Sequence, residues 1–437
     1  MNRSLRMNIL AGALGMFWLC APLGAPLPLL MQAVEASATQ LGILSAAWQI
    51  AMLAQIPSAF LAESQARRKP LWAATAILHR ILWATPALLP WLLPNHRPLW
   101  PALLIAALGL SNLLANVGTA SWQSWMADIV PPASAGRFWA IRQMLLSVGL
   151  IAGTALYGWL LDHTPTPNAP FLGFQWVFGL CSLLGIADIL VHCLVEEPPH
   201  RPVPAATPWY QRLRLPFQTP GFPTLTAAMA AWIGAQSLLG YTLALPGFFS
   251  MVHLRETFGA SYSQASLVFI AAALGAILFT PWLGPWMDRA GAQNVLSRLV
   301  FIGPLTMAGW WLAPAGSFQI GSFTLPKAIP CVAFAALFQG AAYTGTLLCQ
   351  FRLTQMYTPS EGRTVAMAVH WSLTGIAGAS GALAAGLLKD TLPSHGFSAL
   401  GAQWQSYDLL VLIHLLLAWS VALPLCNKLA FSRSAPQ

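Results

Sequence analysis

The sequence predicts an all-α integral membrane protein: 12 transmembrane helices in two six-helix bundles related by a pseudo-twofold axis. Three observations predict this. Of 437 residues, 57% are hydrophobic and only 8% charged, against roughly 25% charged in soluble domains. Twelve apolar runs of helix-crossing length follow one another with short loops. The second half of the chain repeats features of the first at a nearly constant offset.

The runs fall near 8–33, 38–62, 71–93, 99–121, 140–162 and 171–194 in the first half, and near 221–249, 262–285, 298–316, 326–350, 364–388 and 407–427 in the second. Each is about 20 residues, the length that crosses a hydrocarbon core. Helix is the only single-segment structure that satisfies its own backbone there. The first run follows MNRSLRMN but reaches Val34, too long for the apolar part of a signal peptide, so it is taken as span 1. In the seventh, Pro246 is positioned to bend or end the helix.

Sorted by loop, the basic residues separate. Arg3, Arg6, Arg67, Arg68, Lys69, Arg137, Arg142, Arg201, Arg212, Arg214, Arg289, Arg298, Arg352, Arg363, Lys428 and Arg433 share one side, and Arg97, Arg255, Lys327 and Lys389 the other. Arg80 is left over, inside span 3. The positive-inside rule then places both termini in the cytoplasm; a plasma (inner) membrane location is expected. The net charge of +9 is thereby read as topology, and no nucleic-acid partner is expected, because no basic face forms.

Residues 196–220 are proline-rich and too polar to span, so 1–195 and 221–437 are expected as N- and C-terminal six-helix bundles joined by a cytoplasmic linker. Its segment WYQRLRLPF is suited to lie on the membrane surface. The halves align through Gln40 with Gln264, Glu63 with Asp288, and Gly136-Arg137 with Gly362-Arg363, at separations of 224, 225 and 226. Each Gly-Arg pair precedes a glycine-rich span ending in an acid, Asp162 or Asp390. Two parallel repeats imply a cavity between bundles that rock about it, the arrangement of a secondary transporter.

Between spans 8 and 9 stands GPWMDRAGAQNVL, with Gly284, Asp288, Arg289 and Gly291; the first-half copy is AFLAESQARRKPL, retaining Glu63. Between spans 4 and 5 stands WQSWMADIVPPASAGRFWAIRQ, with Asp128, Gly136 and Arg137. These segments resemble the loop signatures of the major facilitator superfamily. The resemblance implies a tight turn at Gly284–Gly291 and a gate worked by Asp288, Arg289, Asp128 and Arg137. The first-half copy departs from the signature, with Ala59, Ser64 and Ala66 in place of glycine, arginine and glycine. Gly149, Gly153 and Gly158 are similar to the antiporter pattern of drug exporters, but Thr154 replaces its proline; helix packing is the simpler reading.

The superfamily lines its cavity with spans 1, 4, 7 and 10. By that resemblance the solute candidates are Gln32, Asn112, Asn116, Gln236, Tyr241, Gln339 and Tyr343, with Trp18 and Trp232 available for stacking. Arg80, about nine residues into span 3, falls near mid-membrane, where a charge marks function by default. No acid is expected at its depth, Asp188 lying nearer the cytoplasmic end of span 6. Arg80 therefore either meets an anionic solute or snorkels. His79 and His370 are candidates for proton transfer.

The six cysteines lie singly in apolar runs, which gives neither disulfides nor metal-ligand spacing. No cofactor and no metal are expected. The expected partners are a small-molecule substrate, protons as a candidate coupling ion, and the lipid bilayer, with the chain a monomer. The function expected is secondary active or facilitative transport of a small organic solute by alternating access. A membrane-embedded scaffold or sensor and a lipid-modifying enzyme are the alternatives; an enzyme is disfavoured because no paired carboxylates or nucleophile motif stand in any loop.

Overall fold

A computed structural model describes residues 3–129, 135–198, 208–241, 247–321, 323–358, 363–392, 397–399 and 402–431. It is a bundle of 12 spans. Span 1 comprises Arg3–Leu23 and Pro26–Ala33; span 2 comprises Ala38–Ile50, a tighter turn at Ala51–Ala54, and Gln55–Ser64; span 3 comprises Lys69–Leu82 and Thr85–Leu92. Spans 4, 5 and 6 are Trp100–Ile129, Ala135–His163 and Leu172–His192. Span 7 comprises Phe222–Leu238 and Phe248–Phe258; span 8 is Tyr262–Ala290; span 9 comprises Ala292–Ile302, Gly303–Met307 and Ala308–Trp311. Spans 10 and 11 are Ala328–Tyr357 and Arg363–Thr391, and span 12 runs Ser406–Leu417, Ala418–Ala422 and Leu423–Phe431.

Among the described residues, nine helices are long and apolar enough to cross a bilayer. The other three spans, 3, 7 and 9, are broken into shorter pieces, which is why they escape a length criterion. Proline accounts for the breaks in spans 1 and 3, where Pro26 and Pro86 open the second pieces. In span 7 the chain leaves the helix through Gly240 at φ +74°, and a side chain there would press 2.5 Å onto the Phe249 nitrogen. Pro246 lies outside the described residues. The second pieces of spans 1 and 7, Pro26–Ala33 and Phe248–Phe258, pack on each other.

Two expectations change. Span 9, placed at 298–316, begins at Ala292 and ends at Trp311, and residues 317–326 form a hairpin of Ser317–Ile320 with Phe323–Pro326. The linker contains a helix, Trp209–Gln218, that leaves Trp209, Tyr210 and Phe217 exposed but buries Arg212 against the bundle.

The halves meet where side chains are smallest. Spans 2 and 11 touch along their length: a Cβ on Gly42 would lie 2.7 Å from the Ala382 carbonyl, and one on Gly386 2.5 Å from that of Ala38. Gly378 lies against the Gln49 side chain, and Ser372 Oγ donates to the Met52 carbonyl at 3.0 Å. Towards the linker end, Ala59, Ala62 and Ala120 pack with Val365, Ala368 and Val369. Spans 5 and 8 approach at Gly158, whose Cβ would lie 2.8 Å from Ser266 Oγ. Gly149 and Gly153 instead seat span 5 on span 1, against Met16 and Cys20. Without a hydrophobic drive between helices in lipid, such close backbone approach is what holds them together.

Gly42→Val would force spans 2 and 11 apart and cost about 1–3 kcal/mol, lowering the melting temperature in detergent. Gly284→Ala, with nothing within 4 Å of the added carbon, should leave it unchanged or higher. Equal losses in both variants would contradict this account of the interface.

Candidate functional site

At the face away from the linker, two pairs of spans are joined by one device used twice. Ser37 and Gln40 form a reciprocal cap at the start of span 2, as Ser261 and Gln264 do at the start of span 8. The next two backbone N–H groups are satisfied from the other half. Ala38 N and Thr39 N donate to Asp390 at 2.9 and 2.7 Å. Tyr262 N and Ser263 N donate to Asp162 at 2.9 and 2.8 Å, and Ser261 Oγ adds a third bond at 2.9 Å. A carboxylate at a helix N-terminus also meets the positive end of the dipole. Both acids end the glycine-rich spans that the repeat singles out.

Beside the Asp390 latch lies a vestibule of about 680 Å³. Gln32 lines it and donates to Glu256 at 3.4 Å, while Lys389 holds the other Glu256 oxygen at 2.8 Å.

A separate, central cavity of about 60 Å³ lies between span 2 and spans 7, 10 and 11. Three of the candidates, Gln236, Tyr241 and Tyr343, line it together with Trp48, Trp232 and Trp371. Gln339 accepts a hydrogen bond from the Tyr241 hydroxyl. Tyr343 is tied to His414, whose other ring nitrogen meets the Ala235 carbonyl at 2.9 Å. Sequence reasoning missed His414, a lone histidine inside an apolar run. Gln49 Nε2 crosses from span 2 to Ser237 at 2.6 Å. Asn112 and Asn116 stand elsewhere: Asn116 accepts from Gln55 at 2.7 Å and donates to the Asn112 carbonyl at 2.9 Å, tying span 4 to span 2.

Arg80 brings a correction, because Asp188 does reach it, at 3.0 Å. Ser182 Oγ donates to the Arg80 carbonyl, so the arginine backbone stands level with Ser182. Asp188 is six residues further along span 6, about 9 Å at 1.5 Å per residue. The arginine side chain covers that distance by running past Gly185, where a Cβ would lie 2.6 Å from Arg80 Cδ. Span depth alone ignores this reach. Arg80 also donates to His79 Nε2 at 2.9 Å and lies 3.5 Å above the Trp18 ring. A guanidinium only donates, so His79 Nε2 accepts and its proton sits on Nδ1, facing the Ser111 carbonyl at 2.9 Å. His79 is thus held neutral.

At the linker face, Glu63 accepts from Arg212 of the linker helix. Asp128 pairs with Arg68 at 2.7 Å, and Glu197 caps the start of span 3 through Arg68 N and Lys69 N at 2.6 and 3.1 Å. Gly136 lies in the first turn of span 5 and Arg363 opens span 11; the Arg137 and Arg363 side chains, and Gly362, lie outside the described residues. Asp288 pairs with Arg352 of span 10 at 2.5 Å, while Arg289 turns back to the Pro285 carbonyl. The expected tight turn is shorter than the signature suggested. Gly284, Asp288 and Arg289 are all helical, and only Gly291, at φ +80°, makes the corner.

The sequence pattern of the Major Facilitator Superfamily matches residues 7–382, and the chain belongs to that family. It is a multi-pass transmembrane transporter of small solutes. Among solved structures it is similar to the nucleoside transporter NupG, at 12% identity and TM-score 0.65 over 100% of both chains. It is also similar to a D-xylose-proton symporter, at 16% and 0.67 over 95% of this chain and 97% of that one. A third is a bacterial homologue of the iron transporter ferroportin in an inward-facing state, at 14% and 0.66 over 98% and 97%. No curated protein sequence matches.

Removing both latches, Asp162→Ala with Asp390→Ala, takes away two helix caps, each worth roughly 0.5–2 kcal/mol. A cysteine at Ser45, buried on the face of span 2 that meets span 11, should then react with a membrane-impermeant maleimide at least about fivefold faster. An unchanged rate would mean that the carboxylates do not hold this face shut.

Proposed function

We propose that the chain moves a small organic solute by rocking residues 1–195 against 221–437 about the central cavity, with 196–220 as the linker between them. The observation that carries this reading is the pair of latches. Two equivalent carboxylates grip two equivalent helix starts across the interface, and they do so at one face only. Such bonds can break and re-form as units, because each end remains able to bond water once separated. The linker face is read as cytoplasmic from its basic loops, in the plasma (inner) membrane, so the latched face is the outer one.

In this cycle the Asp162 and Asp390 latches close the outer face. Glu63–Arg212, Arg68–Asp128 and Asp288–Arg352 brace the inner loops, the role that the family resemblance gives to Glu63, Asp128, Asp288 and the neighbouring Gly136, Arg137, Arg289, Gly362 and Arg363. Gln236, Tyr241, Gln339 and Tyr343 supply polar contacts for a solute in the central cavity. The chain is taken to act as a monomer without catalysis of its own.

One observation favours a scaffold that moves nothing: the central cavity is only about 60 Å³ and walled by three tryptophans. Spin labels at Glu35 and Leu392, on opposite halves at the latched face, separate the two readings. A transporter should give two distance populations whose ratio shifts on removing the latches, whereas one fixed distance in all conditions would refute alternating access. In addition, Asp288→Asn should slow exchange between those populations without lowering the melting temperature; unaltered exchange would remove Asp288 from the gate.

A further inference from the structure

Charge separates the cavities of this chain. The vestibule is lined by Glu256, Lys389 and Asp390, and a cavity within the first half by Arg80, Arg142 and Asp188. Among the described residues, the central cavity is lined by no acid, no base and no histidine. The five residues that follow Tyr241, 242–246, lie outside the described residues and read TLALP, so they bring no charge either. Two histidines stand one residue behind the lining, each with both ring nitrogens engaged in the second half. His370 meets Thr226 and Gln350, and His414 meets Ala235 and Tyr343. An ion brought to the centre would lose its water and meet no opposite charge, which is expensive in a low-dielectric interior.

The polar groups of the lining are mostly spent on one another. Trp232 Nε1 donates to Thr346 Oγ1 at 2.9 Å, and Thr346 donates in turn to the Tyr343 carbonyl at 2.7 Å. Thr374 bonds back to its own helix, Gln49 Nε2 reaches Ser237, and Gln350 Nε2 meets His370. Gln236 is the exception. It is only 8% exposed and lines the cavity, yet its side-chain amide has no hydrogen-bond partner among the described residues. A group so placed is available to a solute, and it offers an acceptor beside two donors. Trp48, Trp232 and Trp371 supply flat apolar surface around it.

We propose that the central cavity takes a neutral, planar solute that presents an N–H next to a C=O, as a cyclic amide or imide does. That edge pairs reciprocally with Gln236, accepting from its Nε2 and donating to its Oε1, while the ring lies against the tryptophans. An anion or a cation would be desolvated without compensation, and a hydrocarbon would leave the Gln236 amide unpaired. At about 60 Å³ the latched cavity has room for about two waters, so the ring enters as the halves part. Trp48, Gln49 and Met52 belong to the first half and the rest of the lining to the second, and Met52 and Met229 have the unbranched side chains that adapt to a new shape. The inference rests on the transporter reading for its meaning, but binding is measured without transport, so the spin-label result stands or falls separately.

The test is thermal stabilisation of the purified protein in detergent. It is titrated with 2-pyridone and uracil, with N-methyl-2-pyridone and 1,3-dimethyluracil, whose N–H groups are blocked, and with benzoate and benzylammonium as ions of similar size. At least one of the two parent compounds should raise the melting temperature saturably, while its methylated form and both ions should not. Gln236→Met keeps the length of the side chain and removes its hydrogen bonds; it should weaken binding of that parent compound at least about tenfold and melt as wild type without ligand. The comparison among ligands is made on the wild-type protein and does not depend on the variant folding. Equal stabilisation by a methylated form or by either ion, unchanged affinity in Gln236→Met, or no response to either parent compound would each overturn the assignment.

Discussion

The first backbone N–H groups of any helix have no partner within it, and in a membrane protein water is not always there to supply one. At the face away from the linker this chain meets that need for spans 2 and 8 with carboxylates belonging to the other half. The serine–glutamine caps satisfy the N–H groups of Ser37, Gln40, Ser261 and Gln264 locally. The two groups between them in each span are left to Asp390 and Asp162. The interface is therefore defined by the need to complete helix ends, and the glycines that let spans 2 and 11, and 5 and 8, approach closely bring the acids within reach.

The two halves share this device but differ at the linker face. In the second half an acid at the end of span 8, Asp288, meets an arginine on span 10, Arg352. In the first half the polarity is exchanged: Arg68, in the loop after span 2, meets Asp128 at the end of span 4. An ion pair is unchanged in energy by swapping its signs, so such an exchange is tolerated. A helix N-terminus cannot be exchanged in this way, since its N–H groups accept only a negative or acceptor partner. Glu63, freed from the equivalent of the Asp288 pairing, takes Arg212 of the linker helix instead.

Much of this was legible in the residues. Apolar runs gave all 12 spans, because in lipid one period dominates and irregular backbone is excluded. The repeat exposed Asp162, Asp390, Gln40 and Gln264 before any coordinates. What it did not give was their meeting, since neighbours across the interface follow from packing and leave no local pattern. Arg80 and Asp188 were missed for a related reason: depth was assigned to backbone positions, whereas a long side chain passing a glycine joins levels two turns apart. The polar candidates of spans 1, 4, 7 and 10 divided along physical lines. Gln236, Tyr241 and Tyr343 face the small central cavity, Asn116 joins span 4 to span 2 while Asn112 lies buried one turn away, and Gln32 faces the vestibule; amides and phenols in an apolar run carry no mark of which they do.

The strength of the latches bears on how such a protein works. Two carboxylate caps contribute together roughly 1–4 kcal/mol. To carry a population from 1:99 to 99:1 requires about 5.5 kcal/mol of preferential binding. The latches are therefore of the size that solute binding can overcome, and not so large that they would fix the chain in one state. A far stronger interface, such as a continuous leucine seam at both faces, would be stable and inert. The small residues along spans 2 and 11 serve the same balance: they allow contact over a long length while burying little area at each level, so separation is graded rather than forbidden. Closure by a few hydrogen bonds to helix ends, set on a smooth glycine–alanine surface, is the arrangement that keeps two conformations within reach of one ligand.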